Sequence, residues 1–255
     1  MEISLTSIVG SVLVVGLRVS GLMLFAPFFS SVTIPVRVKI VLVIAITAVL
    51  YPVYGVRIAP FAPSQWPGLV ASEMLVGIAL GLATNAVFEA AQIAGQILSV
   101  QMGYALVNIL DPTTQVESTV VALLHQGMAM LIFLSLGVHR WVLRAIANSF
   151  DYLPPGTATI NPLLAKALLH EGTIVLQLGI QIAAPVLAAT LLVDLILGLL
   201  GKASPQMPLM LLGPAIKSTL GVFLFMATIG FWPHLMERYF SESLVYAEQL
   251  MHVAR

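Results

Sequence analysis

Six long apolar stretches, set apart by proline-bearing breaks, constrain this chain more than any other feature. They run over Leu5–Phe29, Ile40–Tyr54, Leu69–Met102, Val120–Val138, Ile174–Leu200 and Gly213–Phe231. At a rise of ~1.5 Å per residue, each crosses or nearly crosses a hydrocarbon core of ~30 Å. Only helices and closed barrels satisfy their own backbone in such a medium, and the dyad alternation of a barrel is absent from the sequence. The expected fold class is all-α: a polytopic membrane protein of about six helical stretches, some broken or hairpin-like.

Composition supports the same reading. Of the 255 residues, 59% are apolar and only 9% charged, against ~25% charged in soluble domains. Too few charges remain to solvate a globule of this size. Lys+Arg 11 against Asp+Glu 11 leaves no basic surface for a phosphate backbone, so no nucleic acid is expected as partner. The absence of cysteine excludes disulfides and thiolate chemistry. Glu2 stands where a signal peptide needs a basic segment, so the first stretch is expected to be a retained span. Positive charges do not fix an orientation, because six cations fall on one side of a six-span thread and four on the other. Such balance is expected of helices packed into a larger assembly.

The breaks carry turn chemistry. Pro27 and Pro35 bracket the first, and Pro52, Pro60, Pro63 and Pro67 crowd the second. Asp111-Pro112 lies in the third. The fourth, His139–Gly172, is the longest and most polar. It is expected to be a structured surface segment with a short amphipathic helix around Leu163–His170. Pro205, Pro208 and Pro214 mark the fifth, and Pro185 is expected to kink the fifth stretch.

The third stretch holds 36 residues without proline, from Gly68 to Gly103, about 54 Å as one helix. Either it protrudes from a bilayer or it folds back near Gly77, Gly81 or Asn85. Glu73, Gly77, Gly81, Asn85, Glu89, Gln92, Gln96 and Ser99 recur at spacings of 4, 4, 4, 4, 3, 4 and 3, which is one helical face. Carboxylates and amides at membrane depth face protein or water. The stripe is therefore either a helix–helix seam or the lining of a water-filled conduit. Gly77-xxx-Gly81 and Ala91-xxx-Gly95 would also let backbones approach closely.

Two further charges lie within apolar stretches, Arg18 and Asp194. They are the candidate residues of buried ion pairs, because a lone charge at the centre of a span is costly. Arg18 is expected to meet Glu73, Glu89, Asp194 or an acid of another subunit, as a fixed pair that sets helix register.

Enzyme signatures do not appear. His170-Glu171 opens a zinc-protease pattern, but Ile174 occupies the second histidine position. The histidines at 125, 139, 170, 234 and 252 lack metal-ligand spacing. No nucleophile elbow, phosphate loop or dinucleotide fingerprint is present. Neither enzymatic activity nor a cofactor is expected. A secondary transporter with a midplane site around Glu73, Glu89 and Arg18 stays open as an alternative, although the second half holds no copy of the stripe.

A run of motifs gives the chain a family likeness. Arg18-Val-Ser-Gly21, Ala26-Pro27 and Ile34-Pro35-x-x-x-Lys39 open it. Glu73-Met-Leu-Val-Gly77, Ala94-Gly95-Gln96, Gln101-Met102-Gly103 and Asp111-Pro112 follow. Then come Gly137-Val-His139, Ser149-Phe150 and Pro155-Gly156, and finally Ala184-Pro185, Asp194, Gly198, Pro205-Gln206-Met207 and Lys217. In order and spacing these resemble the FliR/SctT family of type III secretion export-gate membrane proteins, and within it the flagellar members. Pro208 and Met210 depart from the asparagine and the aromatic that the family usually carries there.

The resemblance implies a structural channel subunit of the bacterial inner membrane, at the base of the flagellum. It implies assembly with FliP-like and FliQ-like subunits into a closed helical ring, with FlhB-like and FlhA-like proteins associated and inner-membrane lipid around it. Unfolded flagellar subunits would pass through the centre. Residues 1–172 would be FliP-like and residues 173–255 a FliQ-like hairpin with a tail, together one membrane domain. The loop Gly103–Glu117 would help plug the channel, which makes Met102, Gly103, Tyr104, Asp111 and Pro112 candidate plug residues. Pro205, Gln206 and Lys217 belong to the family's motif loop.

Overall fold

The computed structural model describes residues 5–27, 29–30, 34–58, 61–104, 119–157, 162–204, 206 and 209–253. Asp111, Pro112 and Pro205 lie outside them. Among the described residues all regular structure is helical. Eight α-helices follow in order: α1 (Leu5–Phe25), α2 (Val36–Tyr54), α3 (Trp66–Gln101), α4 (Val120–Ser135), α5 (Val138–Tyr152), α6 (Pro162–Ala203), α7 (Leu209–Thr228) and α8 (Trp232–Val253). Short 3-10 turns occupy Gly55–Arg57, Pro63–Gln65 and Ile229–Phe231. Five spans are long and apolar enough to cross a membrane, and a sixth is added if α4 and α5 are taken as one broken span. The chain is an all-α polytopic membrane protein.

Of the two expectations for the third stretch, the continuous one holds: α3 runs 36 residues without folding back. Two other expectations need correction. The polar segment His139–Gly172 is mostly helix, because α5 covers its first part and α6 its last. Val138, Val142, Ala145, Ile146, Ser149 and Phe150 are buried along one side of α5, while Arg140 and Arg144 are exposed. That 3.6-residue pattern is a half-buried helix written with polar residues. The second correction concerns α6, which begins at Pro162 and runs 42 residues, through Pro185, in place of a short separate helix. Pro162 suits a first helical position, where the missing N–H costs nothing. The segment after Phe231 is helical as well. In α8, Trp232, Met236, Tyr239, Phe240, Ser243, Leu244 and Ala247 are buried on one face.

The chain forms two compact units. The first comprises Met1–Ala86, Gly137–Thr173 and Phe240–Arg255, and the second Val87–Leu136 and Ile174–Tyr239. In the first, Val14, Val15, Arg18, Val19 and Leu22 of α1 and Leu69, Glu73, Val76 and Leu80 of α3 are buried, and the two helices pack together. Backbones approach closely there. A β-carbon on Gly77 would stand 2.7 Å from the Leu22 nitrogen and 2.9 Å from Gly21 Cα, and one on Gly81 would stand 2.8 Å from the Leu22 oxygen. In the second unit the later part of α3 packs on α4 and α6. A β-carbon on Gly95 would stand 3.0 Å from the Ala122 nitrogen, and one on Gly179 3.2 Å from the Ala90 oxygen. Small residues set these helix separations, as they do where lipid supplies no hydrophobic drive between helices.

Much apolar surface is uncovered. In α2 only Thr47 is buried, while Val36, Val41, Ile44 and Val49 are exposed. On α6, Leu191, Leu192, Leu195, Ile196 and Leu199 are exposed. In a soluble monomer, patches of this extent would drive aggregation; here they mark surface for lipid or for other subunits.

Candidate functional site: two polar nodes and the end of the long helix

The first node lies in the first unit. Arg18 is fully buried on α1, and its Nε donates to Glu73 Oε2 on α3 at 2.7 Å, with Glu73 equally buried. Arg18 Nη1 donates to Ser149 Oγ at 3.1 Å, and Nη2 donates to the Leu153 carbonyl at 3.1 Å. The guanidinium carbon lies 4.2 Å from the centre of the Phe150 ring. Glu73 Oε1 accepts from the Gly156 N–H at 2.9 Å. Both carboxylate oxygens and all three guanidinium nitrogens are therefore engaged, which is the condition under which a buried ion pair is tolerated.

Local sequence explains the meeting. Gly21 lies one turn beyond Arg18 and Gly77 one turn beyond Glu73, and their contact brings α1 and α3 close enough for the two side chains to touch. Gly156 adopts φ +80°, a left-handed conformation that favours glycine, and this turns its N–H toward Glu73. The node ties α1, α3, α5 and the following turn together and leaves no water-exposed polar atom on Arg18 or Glu73. Neither side chain is accessible to solvent.

Of the acids open to Arg18, Asp194 takes a different partner and is itself exposed. Its Oδ1 accepts from Lys217 Nζ of α7 at 2.7 Å, and its Oδ2 accepts from Gln101 Nε2 of α3 at 3.0 Å. The reason is antiparallel packing in the second unit: Leu197 of α6 reaches Gly213 of α7, so Asp194 faces Lys217 one turn along.

Gln101 ends α3, and the termination is a Schellman motif. The Gly103 N–H donates to the Val100 carbonyl at 3.2 Å and the Tyr104 N–H to the Ser99 carbonyl at 2.9 Å, with Gly103 at φ +84°. Met102 is buried beside Gly221 of α7, where a β-carbon would stand 2.6 Å from Met102 Cε. Gly103 lies against Pro214, and Tyr104 is exposed.

The stripe on α3 does not share one environment. Glu73 is sealed, Asn85, Gln92 and Gln96 are half-buried, Glu89 is exposed, and Ser99 is buried with no hydrogen-bond partner for its hydroxyl among the described residues. Gln206 is exposed. Two histidines pack separately: His125 is buried with its ring 4.9 Å from Phe225 and 4.8 Å from Trp232, and the His170 ring lies 4.0 Å from that of Tyr246, tilted by 40°. Ser149, Phe150 and Leu153 were not legible as partners of Arg18, nor Gly156 as a partner of Glu73, although Ser149-Phe150 and Pro155-Gly156 stood out as motifs. The amphipathic pattern of α5 was the signal that could have placed them. Gly221 carried no signal beyond being a glycine inside an apolar run.

The family model described as bacterial export proteins, family 1, matches residues 9–243. The flagellar biosynthetic protein FliR of Escherichia coli (strain K12) is 30% identical over 226 residues, covering 89% of this chain and 87% of the relative. The protein of that name from Pectobacterium carotovorum subsp. carotovorum is 31% identical over 228 residues, covering 88% and 86%. The secretion system apparatus protein SsaT of Salmonella typhimurium is 28% identical over 180 residues, covering 70% and 68%. With motifs, helices and near full-length matches in agreement, the chain belongs to the FliR family of bacterial export proteins, family 1.

Proposed function

We propose that the chain is a structural channel subunit of a flagellar type III protein-export gate in the bacterial inner membrane. In this reading it performs no catalysis. It joins FliP-like and FliQ-like subunits in a helical ring, with FlhB-like and FlhA-like proteins alongside, and residues 1–172 and 173–255 stand in for a FliP-like and a FliQ-like part. Unfolded flagellar subunits pass through the centre, and the loop Gly103–Glu117 obstructs it at rest. In this reading the half-buried amides Gln92 and Gln96 line a shared passage.

The observation that carries this reading is the match to flagellar relatives over nearly the whole of both chains. The uncovered apolar faces of α2 and α6 support it, since an assembly subunit needs such faces. The sealed Arg18–Glu73 pair speaks against a midplane transport site, which must be reachable by its solute.

Copurification tests the assembly. A tagged chain is expected in a defined hetero-oligomer with FliP-like and FliQ-like partners. A stable monomer that takes up a small solute into liposomes overturns the reading. Deleting part of Gly103–Glu117 tests the obstruction: the assembled gate should leak ions, and unaltered permeability in an intact assembly removes that role. The match to SsaT gives a second reading, an injectisome counterpart. Flagellar export genes beside this one favour the first, and virulence secretion genes the second.

A further inference from the structure

Asp194 is the one acid in the run Leu191-Leu192-Val193-Asp194-Leu195-Ile196-Leu197. Leu191, Leu192, Leu195 and Ile196 around it are exposed, so the carboxylate stands in a surface otherwise suited to lipid or protein. A charge there is costly, and one cation satisfies that cost. Lys217, 2.7 Å away, would be enough to hold α6 against α7. Yet the second oxygen is also used, and it accepts from the last residue of α3. Three helices thus converge on one carboxylate.

The residues after Gln101 are seated by the same hairpin. Met102 occupies the space over Gly221, where any side chain would collide with it, and a β-carbon on Gly103 would touch Pro214 at 3.1 Å. Two bonds of the Schellman turn then direct the chain at Tyr104.

We propose that Asp194 is a positioning residue: with Lys217 it holds Gln101, keeps Met102 in the Gly221 notch and fixes the direction in which the chain leaves α3. The clamp stands on geometry within the second unit. Only its consequence for permeability rests on the function proposed above. A hairpin staple needs the Asp194–Lys217 pair alone, whereas a positioning residue makes the turn at Tyr104 depend on it.

The chain has no cysteine, so Tyr104→Cys gives a single labelling position at an exposed residue. A nitroxide there, on the full chain in native membranes with its export partners, reports the mobility of the turn. Replacing Asp194→Leu together with Lys217→Met removes both charges and keeps an apolar hairpin. Membrane abundance should stay close to that of the parent while the label becomes severalfold more mobile. Gln101→Leu leaves the ion pair intact and should mobilise the label as well, and it carries the test if the double variant fails to accumulate. A label as immobile as in the parent overturns the clamp. Mobilisation with increased ion leak supports both the clamp and the obstruction. Mobilisation without leak keeps the clamp and removes the obstruction.

Discussion

Arg18 and Glu73 meet at 2.7 Å with neither side chain reached by solvent, and the contact spans 55 residues of sequence. A pair of this kind contributes little over a well-packed apolar pair, but losing one partner leaves a buried charge. Arg18→Ala should therefore lower stability by about 3–5 kcal/mol. Arg18→Met combined with Glu73→Leu should recover most of the loss. Thermal unfolding of the detergent-solubilised protein measures both, and equal destabilisation by the single and double variants counts against the pair as the cause.

Gly77→Ala should destabilise by about 1–3 kcal/mol, because the added carbon meets the backbone of α1 and neither helix can yield cheaply. Gly127→Ala is the control. Nothing stands within 4 Å of a β-carbon there, so it should be neutral or stabilise by up to about 1 kcal/mol. Unfolding midpoints of the two variants should move in opposite directions or differ clearly in size.

Gly156→Ala should cost about 1–3 kcal/mol through its positive φ, with Leu69 and Phe61 crowding the new carbon. It should also weaken the hold on Glu73 Oε1. A double-mutant cycle with Glu73→Gln reads this as a coupling energy, and strict additivity would show that the Gly156 N–H bond contributes nothing.

Gln92→Cys and Gln96→Cys should react with a water-borne thiol reagent in assembled, open gates. Protection of both positions in every state would assign the amides to packing alone.

The helical spans were legible because hydropathy reports the solvent a segment meets. It does not report helicity. For that reason α5 and α8 escaped the reading: Arg140, Arg144, Glu237 and Arg238 lower their hydropathy, while their buried faces keep the helical period. The glycines of α3 were legible as sites of close approach, since spacing alone places Gly77 and Gly81 on one face. The partner of Arg18 was not. Three acids satisfied the same electrostatic demand, and the choice of Glu73 depends on helix contacts with no trace in the linear order of residues. The end of α3 lay between these cases: Gly103 signals a stop, but the Gly221 notch that receives Met102 exists only once α7 is folded beside it.

The bareness of α2 has a consequence for the cell. Among the described residues this helix buries only Thr47 and leans chiefly on α1. A copy made without companions exposes an oily flank that membrane proteases and chaperones can recognise. Surplus copies should be cleared, so that the amount of this protein follows the supply of its neighbours and not the rate of its own translation.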